Sequence, residues 1–186
     1  MTKHKASGSP FLPAHPFPCP VEDDFSSMIR VNLAGEQSAV TIYEGQMRAL
    51  GDDAIAPVIE EMKVHEEEHE ALFLALVRQH HVRPSLFGVL WRWAGYGLGW
   101  VAGKLGPSYA MAQTEAVETV IEQHYQEQID HVPPGDFRTT LKKCQEDEHH
   151  HKAVGAQTRN RSLALDGWML LTRLGTRLAV RIAKRI

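Results

Sequence analysis

A glutamate and a histidine three residues apart, Glu66 and His69, recur as Glu146 and His149, and each pair follows a lone glutamate, Glu36 or Glu118, in a segment with helical periodicity. Residues three apart on an α-helix project from one face, so each pair can reach a single ion. Gly51 lies midway between Glu36 and Glu66, and Val132, opening the Val132-Pro-Pro-Gly135 break, lies midway between Glu118 and Glu146. Residues equidistant from the turn of an antiparallel helix hairpin sit at one height. Each hairpin therefore brings its lone glutamate level with its Glu-x-x-His pair, and two facing hairpins give four carboxylates and two imidazoles in one layer. That is the donor set of a two-metal site in a four-helix bundle. Oxygen and nitrogen donors without thiolate suit iron, manganese or zinc. Two divalent cations would balance the four carboxylates, which makes their burial feasible.

One such pair alone reads as a solvated helix face, and the coincidence of two pairs, two lone glutamates and two turns carries the metal reading. The neighbours His65, Glu148, His150 and His151 are assigned to the surface or to outer contacts of the ligands. His124, six residues after Glu118, is assigned an outer hydrogen-bonding role or a place in the core.

The rest of the chain follows the same helical pattern. Apolar residues at helical intervals predict helices from Asp24 to Leu50 and from about Ala54 to His80. Asp52 and Asp53 are placed to cap the second. A third long helix follows Gly106-Pro107, a fourth is capped by Asp136, and a last one runs from Leu163 to Ile186. No strand pattern occurs. With 186 residues, 43% of them apolar, the chain suffices for one domain. Residues 1 to 22, rich in proline and lacking a signal-peptide core, read as a disordered or loosely docked arm, with the domain proper over 23–186. Two cysteines outside any Cys-x-x-Cys spacing suit a reducing compartment. With a net charge of −3, nothing argues for a nucleic-acid partner, so none is expected.

Two stretches differ from the rest. Residues 86–105 are apolar and glycine-rich, yet only 11 residues separate Arg92 from Lys104, too few for a membrane span of about 20 residues. This reads as an interfacial or re-entrant segment. Residues 162–186 carry five basic residues against Asp166 alone and place Arg173, Arg177 and Arg181 on one stripe of an amphipathic helix. All four tryptophans, Trp91, Trp93, Trp100 and Trp168, fall in these two stretches. Tryptophan favours the headgroup boundary and basic helices favour anionic lipid, so the pair reads either as a membrane-surface element or as a bundle cap or dimer contact.

From about Ile29 to the C-terminus the chain resembles the demethoxyubiquinone hydroxylase family, the di-iron quinone-ring hydroxylases of ubiquinone biosynthesis. The resemblance is carried by Ile29-Arg-Val31 with Ala34-Gly-Glu36, Ile42-Tyr43 with Gly45-Gln46-Met47, Pro57-Val-Ile59, Glu66-x-x-His69, Val82-Arg-Pro84, Leu90-Trp91, Met111-Ala112 with Ala116-Val-Glu118, His124-Tyr125 with Gln128-Ile129, and Glu146-x-x-His149-His150. It implies a ferritin-like four-helix bundle with a di-iron centre held by Glu36, Glu66, His69, Glu118, Glu146 and His149. The activity it implies is hydroxylation of a polyprenyl quinone ring with dioxygen as co-substrate and two iron ions as cofactor, the ring passing Tyr43 and Tyr125 on its way to the metals. No nucleotide-binding fingerprint appears, so reducing equivalents come from outside the site or from the quinol. The resemblance also implies peripheral attachment to a membrane, on the cytoplasmic face of the inner membrane in a bacterium, with room for a homo-oligomer or for partner proteins of the same biosynthesis. The competing functions are an iron- or peroxide-consuming ferritin-like oxidase, a hydroxylase of another membrane-embedded substrate, and a non-catalytic membrane-surface helical protein. Leu33 stands where the family usually has histidine, and Gln37-Ser38 where it has Tyr-Gly.

Overall fold

The computed structural model describes residues 20–185. Six helices follow one another: α1 (Pro20–Leu50), α2 (Ala56–Gln79), α3 (Gly88–Leu105), α4 (Pro107–His131), α5 (Asp136–Thr158) and α6 (Leu163–Ala183). No strand forms among the described residues, and the expected all-α, ferritin-like bundle is what the chain adopts. Residues 1–19 of the proline-rich arm lie outside the described residues. Helix α1 starts at Pro20, inside the stretch assigned to the arm, because proline is tolerated in a first helical turn where its missing N–H has no partner to lose.

Two antiparallel hairpins, α1/α2 and α4/α5, form the bundle. Gly51 (φ 63°) ends α1 in the left-handed region, and Asp53 Oδ1 accepts from the Ile55 N–H at 3.0 Å to start the next helix. In the second hairpin the cap position falls to Gly135 and not to Asp136, which is the first helical residue. There its charge suits the helix dipole without a capping bond.

The buried face of α2 runs Ile59, Met62, Glu66, His69, Phe73, Leu76, and that of α5 runs Phe137, Leu141, Cys144, Glu148, His151, Gly155, both in alternating steps of three and four. Apolar clusters close the bundle on both sides of these carboxylates and imidazoles. One holds Phe25, Ile29, Leu33, Phe73, Tyr125, Phe137 and Leu141; the other holds Tyr43, Ile59, Met62 and Met111.

Helices α3 and α6 lie outside the four-helix core, against α1 and α4 respectively. The stretch read as interfacial or re-entrant is a regular helix whose Gly95, Gly99 and Gly103 face α1. A Cβ on Gly99 would stand 2.0 Å from Ile42 O, and one on Gly45 of α1 would stand 2.2 Å from Tyr96 O, so only glycine permits this backbone approach. Helix α6 is capped by Ser162, which accepts from the Leu165 N–H at 3.2 Å, and packs Leu165 and Met169 onto Ala112 and Ala116. No helix of the described residues is long and apolar enough to cross a membrane.

Candidate metal centre

Two groups of buried donors meet at mid-bundle. Glu36, Glu66, His69 and Glu148 form one, and Glu66, Glu118, Glu148 and His151 the other, with the four donor atoms of each group within 4.8 Å of one another. Glu66 and Glu148 belong to both groups and stand between them. Glu36 with His69 completes one side, and Glu118 with His151 the other.

This corrects the sequence expectation at two positions. Glu146 and His149 are exposed on α5, with His149 Nδ1 2.8 Å from Glu122 on the surface of α4. Glu148 and His151, expected at the surface or in an outer role, are 1% and 0% exposed. The run Glu146-Asp-Glu-His-His-His151 offers a Glu-x-x-His pair in two registers, and the turn shifts by only one residue between them. Two signals separate the registers. The apolar steps Phe137, Leu141, Cys144 continue to positions 148 and 151. Glu118 follows Glu36 by 82 positions, and the same offset carries Glu66 to Glu148 and His69 to His151.

Both bonds of the lone glutamates follow the offset too. Tyr43 Oη on α1 donates to Glu118 Oε1 at 3.0 Å, and Tyr125 Oη on α4 donates to Glu36 Oε1. Both tyrosines are 1% exposed and absent from the cavity wall, so they hold Glu118 and Glu36 and are not placed to guide a ring, contrary to the expectation above. His124 does not touch the donors: its Nε2 accepts from the Gln128 amide at 2.7 Å, and Gln128 pairs with Asn32 across α1 and α4. His150 is exposed, while the half-buried His65 places Nδ1 3.1 Å from His151 Nε2. Of the positions that depart from the resemblance, Leu33 packs in the core, Gln37 donates to Glu70 at 3.0 Å, and Ser38 lines a cavity described below.

The donor set fits a pair of metal ions. Both oxygens of Glu66, both of Glu148, and the Nδ1 atoms of His69 and His151 are buried without a hydrogen-bond partner, although the last two lie 3.1–3.8 Å from carboxylate oxygens. Native interiors rarely leave so many polar atoms unpaired. The electrostatics agree. Burial pushes Glu36 up to about 8 despite His69 beside it, and pushes Glu118 well above the carboxylate range with Glu148 and Glu66 adding to the effect. Burial opposes ionisation of Glu66 as well, but His151 and His69 outweigh it and hold it far below. Burial would lower both imidazoles, yet contacts with Cys144, Glu148, Glu36 and Glu66 raise His69 far above its ordinary value, and Glu148 and Glu66 lift His151 to about 9. Four carboxylates this close need positive charge among them, as protons or as cations.

A cavity of about 320 Å³ reaches this layer from the side of α3 and α6. Glu36, Glu66, Glu118 and Glu148 lie at its inner end, and its wall is otherwise largely apolar, ending at the exposed Leu98 and Leu171.

Residues 23–183 match the model of the family described as ubiquinone biosynthesis protein COQ7. The chain is 36% identical over 165 residues to the mitochondrial NADPH-dependent 3-demethoxyubiquinone 3-hydroxylase of Dictyostelium discoideum, covering 86% of this chain and 76% of that protein. It is 35% identical over 179 residues to the 3-demethoxyubiquinol 3-hydroxylase of Rhodospirillum rubrum, covering 94% and 83%, and 37% identical over 134 residues to the human mitochondrial enzyme, covering 69% and 62%. Matched over residues 23–183, nearly all of its helical part, the chain belongs to the COQ7 family of ubiquinone biosynthesis proteins.

Proposed function

We propose that this chain is a monooxygenase that hydroxylates the ring of a demethoxyubiquinol- or demethoxyubiquinone-type polyprenyl quinone, with two iron ions held by Glu36, Glu66, His69, Glu118, Glu148 and His151. The observation that carries the reading is the apolar cavity whose inner end is the carboxylate layer. The family and the names of its relatives supply the substrate class. Iron bound there would supply the dioxygen chemistry that places one oxygen atom on the ring.

The chain's own residues prepare that reaction in three ways. Tyr43 and Tyr125, which do not line the cavity, hold one oxygen each of Glu118 and Glu36 and leave the other carboxylate oxygens for the ions. The apolar wall from Val31 and Ala34 to Ile42, Val117 and Ile121 excludes water from the ring and suits it better than a charged substrate. The cavity wall includes the exposed Leu98 of α3 and Leu171 of α6, and Leu90 and Trp93 of α3 and Leu174 and Leu178 of α6 are exposed as well. An apolar face of this extent, next to the Arg173, Arg177 and Arg181 stripe, supports peripheral attachment to an anionic membrane, from which a polyprenyl substrate could reach the cavity without crossing water. Reducing equivalents come from an external donor or from the quinol. In a bacterium the attachment proposed is to the cytoplasmic face of the inner membrane.

Purified, iron-loaded protein given a short-chain demethoxyubiquinol, a reductant and labelled dioxygen should yield a ring one labelled oxygen heavier by mass spectrometry. Iron oxidation with an unchanged ring would instead establish a ferritin-like oxidase and end the hydroxylase reading. Flotation with anionic liposomes tests the membrane part. Trp93→Glu with Leu171→Glu should abolish binding, and undiminished flotation would remove this face from the attachment.

A further inference from the structure

The 82-residue offset relates the whole centre to itself: Glu36 to Glu118, Tyr43 to Tyr125, Glu66 to Glu148, His69 to His151. It fails at two pairs of positions beside the donors, Met62 with Cys144 and a second pair that hydrogen-bonds the histidines. The residue before each shared glutamate reaches across to the histidine of the opposite hairpin, and these residues are His65 and Asp147. His65 Nδ1 lies 3.1 Å from His151 Nε2, and Asp147 Oδ2 lies 3.1 Å from His69 Nε2. One histidine is thus backed by a carboxylate and the other by an imidazole.

We infer that His65 and Asp147 are positioning residues that make the two metal positions unequal, the ion on the Glu36–His69 side being held more tightly and by a more electron-rich imidazole than the ion on the Glu118–His151 side. The inference rests on the metal reading above.

The chemistry follows from the hydrogen bonds. A carboxylate oxygen can only accept, so Asp147 fixes the proton of His69 on Nε2 and leaves the Nδ1 lone pair facing Glu36, Glu66 and Glu148. Its charge draws that proton away from the ring and raises the donor strength of Nδ1. His151 faces its carboxylates through Nδ1 in the same way, with Nε2–H donating to His65. A ring nitrogen is the weaker acceptor, and the two rings lie nearly parallel, 12° apart with centroids at 5.3 Å. Orientation is therefore retained at His151 while the electronic contribution is less. Cys144 beside His69, where the offset puts Met62, adds only a weak, uncharged thiol contact; otherwise the two positions match, each with one lone glutamate held by a tyrosine, one histidine, and a share in Glu66 and Glu148. The inequality is thus assigned to positions 65 and 147.

Anaerobic titration of the full chain with ⁵⁷Fe(II), followed by Mössbauer spectroscopy, reads this without any turnover. Two equivalents should bind with dissociation constants at least about tenfold apart, the size of effect that an outer hydrogen-bond partner exerts, and should give two distinct quadrupole doublets. His65→Asp should draw both the constants and the doublets together. Asp147→Asn should weaken the first equivalent and shift its doublet, whereas His65→Gln, which keeps an acceptor, should leave the first equivalent unchanged. Circular dichroism checks that each variant keeps its helices. Two equivalents with one affinity and one doublet in the unaltered chain, or a folded His65→Asp that leaves both separations as they were, would overturn the inference and leave the metal site standing. A chain that binds no iron would overturn both.

Discussion

Tyr43 on α1 donates a 3.0 Å hydrogen bond to Glu118 on α4, across the centre of the bundle. Tyr125 returns the same bond from α4 to Glu36 on α1. Each lone glutamate is thereby fixed by the helix that carries the other. Burial, with Glu118 or Glu36 next in effect, raises both phenols well above their ordinary value, so they act as neutral donors.

Removing one of these donors should loosen one ligand while the bundle survives. Tyr43→Phe is expected to lower the affinity for iron by about 10- to 100-fold, the range for partners of metal ligands. It should reduce the stability of the metal-free chain by about 1–3 kcal/mol, since Glu118 is left buried with fewer partners. Calorimetric iron titration and urea unfolding measure the two effects, and unchanged iron affinity would show that the bond does not support the ligand.

The register of α5 makes a second prediction. Glu148→Ala and His151→Ala should each cut the bound iron to about one equivalent or less, because both side chains stand in the buried layer. Glu146→Ala and His149→Ala should retain two equivalents, because both side chains are exposed. Iron content by emission spectrometry decides the matter. Loss of iron in the second pair with retention in the first would restore the assignment read from the turns alone.

The legibility of this chain divides along the same line. Glu36, Glu66, His69 and Glu118 were readable because Glu66 and His69 form the one Glu-x-x-His pair in the first acidic run, and a break midway between glutamates is a coarse but sufficient measure of height. Glu148 and His151 were hidden by the local composition, since six consecutive acidic and histidine residues satisfy the Glu-x-x-His spacing twice. Helical phase resolves this once α5 is read as one continuous stripe from Phe137, and the repeat offset resolves it independently. The roles of Tyr43 and Tyr125 depend on contacts between helices 75 and 89 residues apart in sequence. No local pattern encodes those. The glycine-rich stretch was legible as unusual but not as a helix. Its glycines read as breakers in isolation, and only the presence of α1 against them explains why they stay helical.

That close approach yields a third prediction. Gly99→Ala would put a methyl group 2.0 Å from Ile42 O and 2.8 Å from Ile42 C, backbone atoms that cannot rotate away. The two helices must then separate, at a cost of about 2–4 kcal/mol. Gly97→Ala on the same helix meets nothing within 4 Å and should be neutral or stabilising by up to about 1 kcal/mol, the helix-propensity difference. Chemical unfolding of the two variants in parallel tests the contrast. Equal stabilities would mean that α3 contributes nothing through this face.

The last prediction concerns acid. His124 is 5% exposed, its Nε2 already accepts from Gln128, and burial, with the charge of Lys184 adding to it, pushes its pKa down from 6.5 to about 3. The folded chain therefore keeps this imidazole neutral at a pH where the unfolded chain protonates it. Between about 6.5 and 3 the unfolded state binds the extra proton, so stability rises with pH there, and the contribution present above 6.5 is lost progressively as pH falls through this window. Each pH unit well inside the window is worth about 1.4 kcal/mol. His124→Gln has no such proton to bind. Relative to its value at pH 7.5, the stability of the unaltered chain should fall by about 2–3 kcal/mol more than that of the variant on going to pH 4.5. Taking the difference cancels the carboxylates of the metal centre, which are common to both proteins. Denaturant unfolding of the metal-free proteins across this range measures it, and parallel stability curves would show that His124 is not held neutral by the fold.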